Sequence, residues 1–127
     1  NGPGCSGKYG NMRSLTIILN LLLASSSAWA GEQKLSGTEI QLALNDHTYG
    51  GVGEDGKSWE QIFQKSGVTF YATGGAQSQG KWEVRGDQYC SQWPPNEAWA
   101  CYDVMVAENL VIFVSASGTR YTGHRVN

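Results

Sequence analysis

The sequence predicts a small, mainly β domain, an antiparallel up-and-down barrel or strongly curved meander with one short N-terminal helix. Three observations carry this. Short segments of period two recur about every ten residues from His47 onward, which is the spacing of an antiparallel meander. Gly, Asp, Asn and Ser cluster between them, and 17 of the 127 residues are glycine, about twice the usual share of roughly 7%. Only one segment, at the start of the patterned region, has helical spacing.

That segment opens with Ser36-Gly37-Thr38-Glu39, a capping box in which Ser36 is the N-cap and Glu39 reaches back from the third helical position. Leu35 and Ile40 form the hydrophobic staple, and Ile40, Ala43 and Leu44 share one face before Asn45-Asp46 ends the element. Strands are expected at 47–52, 58–64, 68–73, 80–84, 88–93, 99–106, 110–115 and 119–125. Their turns include Glu54-Asp55-Gly56, Lys65-Ser66-Gly67, Gly74-Gly75 and Arg85-Gly86-Asp87. Arg85-Gly86-Asp87 also spells an integrin-binding tripeptide, but its place between Trp82/Val84 and Tyr89 reads as a hairpin turn. About eight such strands hide one face best by closing, which also removes exposed edges.

Ahead of this domain the chain reads as an export signal. Arg13 supplies the positive charge, Leu15 to Ala24 an apolar stretch, and Ala28-Trp29-Ala30 a small-x-small cleavage site. The expected organisation is 1–11 upstream of the start methionine and without a fold, 12–30 signal peptide, and 31–127 a single β domain. The apolar stretch is too short to cross a bilayer. Periplasmic or secreted localisation follows, with a product that has no membrane span after cleavage and is expected to be a monomer. Cys5 falls in the leader, so Cys90 and Cys101 remain to pair in an oxidising compartment and staple a hairpin whose loop runs from Ser91 to Ala100.

The mature segment holds seven basic and eleven acidic residues, a formal charge of −4 that argues against nucleic acid as a partner. His47 and His124 show no ligand spacing with each other or with the cysteines, so no metal and no cofactor are expected. Nothing singles out two of the eleven carboxylates as an acid/base pair, and the domain reads as a non-catalytic binding module for a small apolar ligand or an envelope protein, with a small hydrolase as an alternative.

Aromatic residues are the candidate binding groups. Trp93-Pro94-Pro95-Asn96-Glu97-Ala98-Trp99 sets two indoles in a stiff loop inside the disulfide ring. They either present a surface or fold back to plug the barrel mouth, and plugging, by Trp99 above all, is the expectation. Trp59, Phe63, Phe70, Trp82, Tyr89 and Tyr102 form a second set that either lines a cavity or fills the interior, and filling is expected of so small a barrel. The ligand candidates are therefore Trp59, Trp82, Tyr89, Trp93, Trp99 and Tyr102.

The stretch Gly80-Lys81-Trp82-Glu83-Val84-Arg85-Gly86-Asp87-Gln88-Tyr89-Cys90-Ser91-Gln92-Trp93, with Cys101-Tyr102 after it, resembles small exported proteobacterial proteins of unknown function. The resemblance implies a capped helix before a lipocalin-like sheet, but no activity. Ser117-Gly118-Thr119-Arg120-Tyr121 is similar to the S-G-x-x-Y motif of periplasmic inhibitors of C-type lysozyme. That resemblance implies that Ser117 enters the lysozyme cleft, with Tyr121 completing the motif, and gives an inhibitor as the other alternative.

Overall fold

The computed structural model describes residues Gly31–Asn127; the expected upstream segment, signal peptide and Cys5 lie outside the described residues. Nine strands and one helix follow in the order β1 (Gln33–Lys34), α1 (Gly37–Leu44), β2 (His47–Val52), β3 (Ser58–Phe63), β4 (Val68–Thr73), β5 (Ala76–Arg85), β6 (Gln88–Gln92), β7 (Trp99–Ala107), β8 (Leu110–Ser115) and β9 (Arg120–Arg125). All pairings are antiparallel. Strands β2 to β7 pair in sequence order, β9 joins β2 to β8, and β8 pairs with β7, so β2 to β9 close an eight-stranded barrel.

Two strands are longer than their neighbours because each is shared with a stagger. β5 pairs with β4 from Ala76 to Lys81 and with β6 from Lys81 to Arg85. β7 pairs with β6 over Trp99 to Tyr102 and with β8 over Tyr102 to Ala107. Such offsets give the strand tilt that closure requires. β5 thus begins four residues before the expected Gly80, directly after a two-residue turn in which Gly74 (φ 58°) and Gly75 (φ 84°) are both left-handed. β1 was not expected: it lies along β7 at Met105 and Val106, beyond the end of β6.

The helix forms as its sequence dictates. Glu39 N donates to Ser36 Oγ (3.3 Å) and Ser36 N to Glu39 Oε1 (2.8 Å), completing the capping box. Two side chains fasten it to the barrel: Gly37 N donates to Asp87 Oδ1 (2.7 Å) and the Tyr49 hydroxyl to the Ala43 carbonyl (2.7 Å). Asp87 of the Arg-Gly-Asp turn is thus occupied as a structural acceptor, and Arg85 lies over the Trp99 ring at 4.4 Å. Ile40 and Leu44 are fully buried and enter one end of the barrel. There they meet a core of Tyr49, Phe63, Trp82, Tyr89, Val104, Val111 and Phe113.

Phe63 is the hub, with its ring centroid 5.4 Å from Tyr89, 5.6 Å from Trp82 and 6.1 Å from Phe113. Trp82 Nε1 donates to the Gln64 carbonyl (2.8 Å), which satisfies the one polar atom of that indole. Phe70 pairs with Ile62 and Gln79, a position of outward parity next to buried Thr69. On the outer face Cys90 and Cys101 are direct cross-strand partners with Cα atoms 4.0 Å apart and form the disulfide. Leu44→Ala should unseal the helix end and lower unfolding free energy by about 2–5 kcal/mol, read as a reduced denaturant midpoint; an unchanged midpoint would refute the helix as a core element.

Candidate functional site

The end of the barrel away from α1 is open. The β2–β3, β4–β5, β6–β7 and β8–β9 connections surround it, and a cavity of about 1100 Å³ descends between them to Gln61, Tyr89 and Phe113. The expected filled interior is thus met only in the helix half. Volume is left in the other half because the inward positions there include Ser78, Ser91, Gly51 and Gly80 beside the large rings.

Glycines also set the large rings back against the wall. A Cβ on Gly80 would lie 2.6 Å from the Trp93 ring and 2.5 Å from the Gln92 carbonyl oxygen. A Cβ on Gly123 would lie 2.9 Å from the Trp59 ring, and one on Gly51 3.2 Å from Trp59 Nε1. Each indole therefore packs against bare glycine backbone, a position that a side chain at Gly80 or Gly123 would not allow. Tyr71 stands between them, stacked on Trp59 at 6.2 Å and edge-on to Trp93 at 6.2 Å. Across the cavity Tyr102 stacks on Tyr89 at 5.6 Å and meets Tyr121 edge-on at 6.2 Å.

The floor is polar. Gln61 Nε2 donates to the Tyr89 hydroxyl (2.9 Å) and to Thr69 Oγ1 (3.0 Å), and Trp93 Nε1 donates to Ser91 Oγ (3.2 Å). Burial pushes the Tyr89 phenol up to about 12, against the opposing hydrogen bonds of Ser91 and Gln61. Tyr102 is also raised by burial and by Tyr121, and Tyr71 by burial, Asp55 and Tyr121. All three are therefore neutral hydroxyls at physiological pH. Charged side chains, Glu54, Asp55, Lys57 and Arg120, stay at the mouth, where Arg120 pairs with Glu32.

Of the six sequence candidates, Trp59, Tyr89, Trp93 and Tyr102 line this cavity. Trp82 belongs to the core at the helix end, and Trp99 lies on the outer face under Arg85. The indole that turns inward from the Pro-rich loop is thus Trp93, the reverse of the expectation for Trp99. Strand parity explains it: buried Tyr89 and Ser91 face the lumen, so Trp93 does too, whereas Trp99 shares the outward parity of Cys101. Tyr121 lines the cavity, and Ser117 is exposed in the β8–β9 turn, its hydroxyl 3.0 Å from Ser115 Oγ and 3.2 Å from Thr119 Oγ1.

Gln61, Tyr71, Ser91 and Phe113 also line the site and were not among the candidates. Gln61 had a signal, a polar residue alternating between Trp59 and Phe63 on one strand face. No protein-family model, curated protein or solved structure matches the chain.

The buried phenol makes stability pH-dependent. Tyrosines of the unfolded chain ionise near pH 10, whereas folded Tyr89 holds its proton to about 12. Its contribution is complete below about pH 10 and is lost as pH rises through about 12, on the order of 2–3 kcal/mol. Urea unfolding across this range should show that decline, and Tyr89→Phe should make it shallower, leaving the smaller part due to the other raised tyrosines; an unaltered slope in the variant would contradict the burial of the phenol.

Proposed function

We propose that this domain is an exported, non-catalytic binding module that holds a small, largely apolar ligand in the aromatic mouth of its barrel. The observation that carries it is the combination of a sealed end and an open one. A cavity of about 1100 Å³ with aromatic walls, a few convergent polar groups at its floor and charges confined to the rim has the make-up of a small-molecule site. The raised tyrosines favour hydrogen bonding over proton transfer, which sets this reading ahead of a hydrolase. Tyr121, the last residue of the inhibitor-like motif, is engaged by the cavity, which sets it ahead of a lysozyme inhibitor.

Export rests on the tripartite leader and on a disulfide suited to an oxidising compartment. Intact-mass measurement of protein recovered outside the cytoplasm should give a chain beginning at Gly31; a full-length chain there would refute cleavage.

Anilinonaphthalene sulfonate is a suitable probe of the cavity, since a folded barrel should take it up with saturable, one-to-one fluorescence enhancement. Trp93→Ala removes one wall and should weaken binding roughly tenfold. Trp99→Ala, outside the barrel, should leave affinity unchanged. Equal loss in both variants, or no saturable binding to the cooperatively folded protein, would overturn the assignment.

A further inference from the structure

We infer that the ligand is a flat ring compound bearing a neutral O–H or N–H group, which it donates to Gln61 Oε1 at the cavity floor. This rests on the binding-module reading and specifies its ligand. Gln61 is 9% exposed, and its hydrogen bonds determine which way its amide points. The Thr69 hydroxyl spends its hydrogen on the Ile62 carbonyl (2.8 Å), so towards Gln61 it can only accept. The NH₂ group must therefore lie on that side, and its two hydrogens go to Thr69 Oγ1 and to the Tyr89 hydroxyl. Oε1 is left over. Among the described residues no group donates to it, although buried acceptors are normally matched.

The surroundings narrow the donor's chemistry. Gln61, Tyr89 and Ser91 are neutral at physiological pH, and the rim carries the charged groups, so an ammonium at the floor would be desolvated without a counter-charge. A neutral hydroxyl or ring N–H meets the same acceptor at far lower cost. Above it, the rings of Trp59, Tyr71 and Trp93 on one side and of Tyr102 on the other line the cavity, an aromatic wall against which a ring compound packs well. A site built around a hydrogen bond rejects an analogue without the donor more strongly than a purely apolar site can.

Three probes isolate the donor: β-naphthol, its methyl ether, and naphthalene, the last two lacking O–H and bracketing it in size. Titrated by calorimetry into the folded protein, β-naphthol should bind at least roughly tenfold more tightly than either comparator. Gln61→Met, which removes the acceptor at similar length, should erase the difference. Should that variant not fold, the Gln61 side-chain amide resonances of the unaltered protein decide: they shift with β-naphthol more than with the ether if the inference holds. Equal affinities for the three probes, a preference that survives Gln61→Met, or identical amide shifts would overturn the donor assignment while leaving the binding module standing. Failure of all three rings to bind would overturn both.

Discussion

An eight-stranded barrel encloses a lumen only just wide enough for its own side chains, so whether such a protein is a packed core or a container depends on where its largest rings lie. Here the deciding contacts are between indoles and glycines. Trp93 lies on Gly80 and Trp59 on Gly123, at separations that a methyl group on either glycine would violate, and Trp59 Nε1 lies close to Gly51. At the other end there is no such relief: Phe63, Trp82, Tyr89 and Phe113 meet in the lumen and fill it. The same aromatic-rich strands thus yield a solid half and a hollow half.

The two halves depend on each other. Ile40 and Leu44 of the helix seal the solid half, and the helix is held by Asp87 and Tyr49 at its two ends. Against that sealed core the Gln61–Tyr89–Thr69 hydrogen bonds are fixed, and they form the floor of the hollow half. The disulfide lies outside the barrel wall and ties β6 to β7, the strands flanking the loop that delivers Trp93.

Much of this was legible in the sequence because each signal was local. Strand positions followed from alternation and from turn residues, the helix from its capping box, and the disulfide from the fact that only two cysteines lie beyond residue 30. The missed elements lack local signals. β1 is two exposed residues whose only strand-like property is their pairing with Met105 and Val106. The first residues of β5, Ala76-Gln77-Ser78-Gln79, are small or polar and read as loop, yet pairing with β4 extends them into the wall of the mouth. The alternation Tyr89, Ser91, Trp93 held the parity that turns Trp93 inward, but the expectation fell on Trp99, which shares the outward parity of Cys101. The cavity itself was illegible, since the seating of Trp93 on Gly80 and of Trp59 on Gly51 and Gly123 is a property of register in three dimensions.

The central claim, a barrel solid at one end and receptive at the other, is tested most directly by the indole N–H resonances of the folded protein. Trp59 and Trp93 line the cavity, Trp82 is bonded in the core, and Trp99 lies outside. Titration with a saturating aromatic ligand should shift the signals of Trp59 and Trp93 and leave those of Trp82 and Trp99 in place. Movement of Trp99 alone, or of Trp82 together with a general change in the spectrum, would contradict the account.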